Sequence, residues 1–100
     1  MVKFTIPHES ANNSLKNQDF GAKMKQLLAD IKAEAAYFST INGKRGGYII
    51  VNVDDASQMP TIGEPLFFWL NADVEFFPVM LPQDLEKAGP AIGAALKKWG

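Results

Sequence analysis

His8 is the only histidine among the 100 residues, and it follows the proline that ends the first extended stretch. Imidazole changes charge near neutral pH, so a histidine at a strand end can act as a general base. The plainer role is a loop histidine that caps a turn. Glu9 comes next, but neighbours on an extended chain point to opposite sides, so the two are not expected to work as a pair. Glu75 stands in the apolar run Val74-Glu75-Phe76-Phe77. A carboxyl group buried there would hold its proton above the usual range and could pass it to the carbon beside a carbonyl. The plainer role is an edge-strand charge facing water, or a partner for Lys3 or Arg45. His8 and Glu75 are the candidate catalytic residues. Thr5, Tyr37, Tyr48 and Asn52 could orient a small ligand by hydrogen bonds in a mostly apolar pocket, with Phe77 beside them. Those tyrosines serve equally well as interface packing.

Other groups are poorer candidates. Lys44-Arg45 could hold an anion, but two charges between glycines suit a solvated hairpin tip. Phe67-Phe68-Trp69 reads more readily as core than as a ligand lid. One histidine with scattered carboxylates makes no metal-ligand set, and no cofactor is expected. The glycines sit in a hairpin rather than before a helix, so there is no phosphate loop. No serine has the setting of a nucleophile elbow. The absence of cysteine removes thiolate chemistry and disulfides.

These side chains need a scaffold, and hydrophobic periodicity predicts one. Val2-Lys3-Phe4-Thr5-Ile6 alternates like a strand, and Pro7 ends it. His8 to Ser14 reads as a polar loop. A helix then runs to about Ala35, clearest from Gln18 to Lys32, with Leu15, Phe20, Met24, Leu27, Leu28 and Ile31 as its apolar stripe. Ala36 to Ile41 is a second strand. Asn42-Gly43 and Gly46-Gly47 frame a hairpin loop that leads into a third strand, Tyr48 to Val53. Asp55 and Gln58 have the spacing of a capping box. Gly63 and Pro65 argue for a short helix only, with Leu66 to Leu70 as a second piece or a turn. Val74 to Met80 is a fourth strand, and Pro78 makes it an edge strand or one that bulges there. Pro82 suits a first helical turn, Ala88-Gly89-Pro90 interrupts, and a last helical segment from Ala91 to Trp99 carries Ile92, Ala95, Leu96 and Trp99 on one face.

Strand, helix, strand, strand, helix, strand is the split βαβ pattern. The expected fold is α+β: a ferredoxin-like βαββαβ antiparallel sheet in a single domain 1–100, with a core over 1–81 and a helical tail over 82–100. Helices cover one face of such a sheet. The other face would collect Lys3, Thr5, Tyr48, Ile50 and Asn52, joined by Tyr37, Ser39 and Ile41 and by Glu75, Phe77 and Val79 or their alternates. That mixture is too apolar for a solvated face, so a homodimer with its sheets face to face is expected.

Composition bounds the partners. Ten basic residues stand against eleven acidic ones, without the basic excess that phosphate binding requires, so no nucleic-acid partner is expected. No apolar run approaches the roughly 20 residues of a membrane span. The N-terminus lacks the pattern of a signal peptide, and a cytoplasmic location is the default expectation.

The local residues carry a resemblance as well. Ile6-Pro7-His8-Glu9 closes the first strand; Gly47-Tyr48 opens the third and Val53-Asp54 closes it. Gly63-Glu64-Pro65-Leu66-Phe67 precedes the last strand, which Asp73-Val74-Glu75 opens. Over residues 2 to 81 this resembles the muconolactone-isomerase-like branch of the dimeric α+β barrels. The resemblance implies paired sheets forming a barrel, with a pocket between sheet and helices or at the barrel end. It also implies cofactor-free isomerisation or proton transfer on a small lactone or cyclic carbonyl compound. The long first loop, the short hairpin and the tail after Pro82 depart from that pattern. The residues alone leave two functions open: such an enzyme, or a non-catalytic module that binds a small organic ligand or assembles as a homodimer.

Overall fold

Four short strands form one antiparallel sheet: β1 (Val2–Thr5), β2 (Ala35–Ile41), β3 (Lys44–Ile50) and β4 (Asp73–Phe76), in the order β2-β3-β1-β4. The computed structural model describes residues 1–100. Two helices, α1 (His8–Lys16) and α2 (Phe20–Asp30), link β1 to β2, and α3 (Met59–Leu70) links β3 to β4. This α+β arrangement, with every neighbouring pair of strands antiparallel, is compatible with a ferredoxin-like fold. After β4 come α4 (Pro82–Lys87) and α5 (Gly89–Trp99).

The core follows the alternation in β1. Val2, Phe4 and Ile6 are buried with Ile49, and Met24 and Leu27 of α2 close over them beside Ile62, Leu66 and Leu70 of α3. Val51 and Val53, expected on the same face, pack against this cluster half-buried.

Four local expectations need correction. The segment from His8 is a helix, not a loop: Pro7 sits at its cap, where a missing N–H costs nothing, and Ala11 and Ser14 supply an inward face. Nor is the following helix continuous. The chain breaks at Gln18, whose φ of 60° is left-handed, and Asp19 starts α2, accepting a 2.9 Å hydrogen bond from the Ser14 hydroxyl. The second helix is one piece through Pro65. A proline inside a helix costs roughly 3 kcal/mol, but α3 buries Ile62, Leu66 and Leu70, each contributing about 1.5–3 kcal/mol. Tertiary burial therefore wins.

The hairpin is also tighter than expected. Asn42 and Gly43 have φ of 53° and 79°, the pair of positive values that a two-residue type I′ turn requires. Lys44 to Gly47 consequently belong to β3 and not to the loop. Gly47 lies between Phe4 and Phe38 in the register. Those two rings meet edge to face, centroids 6.4 Å apart, over the space that glycine leaves.

β4 is an edge strand, one of the two arrangements Pro78 allowed, and ends at Phe76, before that proline. One more pair extends it: the Phe77 N–H donates to the Met1 carbonyl at 2.8 Å and the Met1 ammonium donates to the Phe77 carbonyl at 2.7 Å. From Phe77 to Gly100 every residue but Ala88 is exposed. The radius of gyration is 17.2 Å, against about 13 Å for a compact domain of this length. α4 and α5 form an arm that stands away from the sheet and its helices, and the whole chain, arm included, measures 58 Å along its long axis and 28 and 21 Å across.

Candidate functional site

The register sorts the uncovered face into rows. Tyr37, Tyr48, Lys3 and Glu75 are cross-strand partners in turn, forming one row across all four strands. Ser39, Gly46, Thr5 and Asp73 form the next row toward the far end of the sheet. Of the two options for β4, the face therefore takes Glu75 and not its neighbours. The Lys3 ammonium lies 3.8 Å from the Glu75 carboxylate, and that carboxylate side chain is 59% exposed. The burial that a proton-holding carboxyl needs is not met; the pairing with Lys3 is.

His8 lies elsewhere. It is exposed at the first turn of α1, beyond the end of β1. A half-open apolar pocket lies at the opposite end of the sheet, where β1 begins and β3 and β4 finish. There Met1, Val2, Val51, Val53, Met59, Phe76, Phe77, Pro78 and Val79 surround a cavity of about 480 Å³ with Asn52 as the polar side chain in its wall. Neither His8 nor Glu75 reaches it. The two candidate catalytic residues thus share no cavity.

Of the candidate ligand-binding residues, Asn52 and Phe77 line this cavity. Thr5, Tyr37 and Tyr48 do not; they belong to the open face. Asn52 also differs from its expected setting. β3 ends at Ile50, so Asn52 leaves the sheet and borders a second cleft of about 400 Å³ with Asp30, Lys32, Asp54, Gln58, Thr61 and Ile62. An apolar chamber and a polar cleft thus meet at one amide, which can both donate and accept.

The loop beside Asn52 is pinned by the capping box that its sequence predicted. The Asp55 carboxylate accepts from the Ser57 N–H at 2.8 Å, and the Gln58 side-chain oxygen accepts from the Asp54 N–H at 2.9 Å. The Ser57 hydrogen bond holds the Asp55 carboxyl below its ordinary range. A fixed loop sets Asn52 and Asp54 in place before any ligand arrives, which lowers the ordering cost of binding.

Met1, Val51, Val53, Met59 and Val79 were not recognised as site residues. Their one signal is a single amide flanked by two valines where a strand runs out. The remaining contributions come from chain ends that only the fold brings together.

The largest concavity is on the other layer. Leu27, Ile31, Pro65, Phe68 and Trp69 line a groove of about 620 Å³ between α2 and α3, with Lys23, Gln26, Asp30 and Thr61 on its walls. The aromatic run after Leu66 is core only in part: Trp69 packs against the core with its ring centroid 5.5 Å from that of Phe20, whereas Phe68 is 88% exposed. It faces outward along this groove.

Comparison of the chain with protein-family models, with curated proteins and with solved structures finds no match. No group of histidine, cysteine and carboxylate side chains is placed to hold a metal ion. No helix is long and apolar enough to cross a membrane.

Proposed function

We propose that this protein is a homodimeric binding module for a small organic molecule with an apolar body and one hydrogen-bonding end. The observation that carries the reading is the sheet-end cavity. Its volume falls within the ~300–1,000 Å³ of small-ligand sites, its wall is mostly apolar, and Asn52 joins it to a polar cleft. Small lactones and cyclic ketones fit that chemistry: the ring occupies the chamber and the carbonyl accepts from the Asn52 amide. No carboxylate or imidazole side chain lines the chamber, which favours binding over proton transfer. The homodimer is supported by the uncovered row Tyr37, Tyr48, Lys3 and Glu75, since an aromatic row beside a charge pair is better covered than solvated.

The test is thermal melting of the full chain with a panel of small lactones and cyclic ketones, followed by assay of the panel for chemical change. The expected result is a raised melting temperature with one ligand class, lost in Asn52→Ala, and no consumption of ligand. Consumption that disappears in His8→Ala or Glu75→Gln would replace this reading with the isomerase that the family resemblance implies.

A further inference from the structure

We infer that the C-terminal arm of one copy docks into the α2–α3 groove of a second copy, with Ile92, Leu96 and Trp99 as the inserted stripe. The inference rests on the homodimer proposed above and adds the segment that holds it. Five observations carry it.

First, the arm has no partner in its own chain. Val79, Met80, Leu81, Leu85, Ile92, Leu96 and Trp99 are all more than half exposed. Secondly, its helices have no support of their own. α4 has 6 residues and α5 has 11, both below the ~12–15 at which an isolated helix becomes even marginal in water. Burial of an apolar face must supply what length does not.

Thirdly, the two unmet surfaces match in shape. Ile92, Leu96 and Trp99 fall at steps of four and three on one side of α5, the spacing by which a helix anchors in a groove. The α2–α3 groove is walled by two helices, has an apolar floor at Leu27, Ile31 and Pro65, and is rimmed by the exposed Phe68. Fourthly, the size is right. Seven large apolar residues of the arm are more than half exposed, and reciprocal docking would bury two such sets with the grooves that receive them, as a standard interface of about 1,600 Å² requires. An exchange in which each copy gives an arm and accepts one closes a twofold pair without leaving an open end.

Fifthly, charge permits self-association and does not favour a lipid surface. The chain is near neutral at −1, so two copies do not repel strongly. On the arm, Asp84 and Glu86 offset most of Lys87, Lys97 and Lys98. That leaves too little positive charge for stable attachment to anionic lipid.

The arm also reaches the ligand cavity. Its root, Phe77-Pro78-Val79, forms one wall of the sheet-end chamber. A docked arm holds that wall in place.

The experiment is light scattering of the full chain on a size-exclusion column over a range of concentrations, with three surface variants. Leu96→Glu/Trp99→Glu changes the arm, Phe68→Glu the groove and Tyr37→Glu the open sheet face; all four side chains are more than half exposed, so folding tolerates each change. The expected result is a wild-type dimer whose dissociation constant rises at least thirtyfold in both the arm and the groove variants, the size of effect when a central anchor is lost. A dimer that persists in either the arm or the groove variant overturns the inference. If Tyr37→Glu alone then separates the copies, the sheet-paired homodimer stands without the exchanged arm. A wild-type monomer overturns both, including one that binds anionic vesicles through the arm.

Discussion

Lys3 and Glu75 face each other on adjacent strands, ammonium 3.8 Å from carboxylate, at the end of a row that begins with Tyr37 and Tyr48. The contact explains why a carboxylate occurs in an otherwise apolar strand. It satisfies a charge on the sheet face and marks that face as mixed rather than solvated.

This pair is partly exposed, and exposed pairs contribute only about 0.2–1 kcal/mol. Glu75→Gln should therefore lower unfolding stability by no more than that in urea titrations made at a concentration where the copies are separate. A much larger loss under those conditions would mean that the pair is desolvated within a single copy.

Leu66 is fully buried where α3 meets the sheet, and Leu70 lies one turn further on. Leu66→Ala should cost about 2–5 kcal/mol, read as a lower midpoint in guanidinium chloride. Because the burial of this stripe outweighs Pro65, the same variant should also reduce helix content near the melting temperature, measured by circular dichroism.

Two glycines should respond in opposite ways to alanine. At Gly46 a Cβ would collide with the Phe4 backbone carbonyl, and no side-chain rotation relieves a clash with backbone. Gly46→Ala should fail to give a cooperative unfolding transition. Gly21, in α2, has nothing within 4 Å of the same position; Gly21→Ala should stabilise by up to about 1 kcal/mol through helix propensity.

Asp55 and Asp19 contribute to the acid limb of the stability profile. Hydrogen bonding holds both carboxyls below their ordinary range: the Ser57 N–H acts on Asp55, and the Ser14 hydroxyl followed by Lys23 acts on Asp19. A lowered folded-state value means that the unfolded chain takes up the proton first as pH falls. Their contribution is therefore present above the ordinary aspartate value of about 3.9 and disappears as pH drops through the lower folded values. The melting temperature of Asp55→Ala should lie below wild type at pH 7, and the two should converge in the acid range. A gap that stays constant with pH would contradict this assignment.

Much of the fold is local and could be read without coordinates. The alternation from Val2 to Ile6, the Asn42-Gly43 turn, the Asp55–Gln58 capping box and the Ile92–Leu96–Trp99 stripe depend on residues a few positions apart. The α+β order of elements follows from them. The errors arise where a distant contact overrules a local preference. Pro65 and Gly63 discourage a helix, yet Ile62, Leu66 and Leu70 meet the sheet and keep α3 whole. Gly46 and Gly47 look like turn residues, yet close approach to Phe4 and cross-strand packing place them in β3.

The candidate site divides in the same way. Residue chemistry marked His8, Glu75 and the polar residues near them, and Asn52 and Phe77 do line a cavity. Sequence alone determined which side chains were available and which surfaces were amphipathic, because period and turn chemistry are encoded within a few residues. Tertiary structure alone decided where the cavity lies and that His8 is at the other end of the sheet. It joins Met1 to Phe77 across 76 positions, and pairing at that range depends on how the sheet closes rather than on any local pattern.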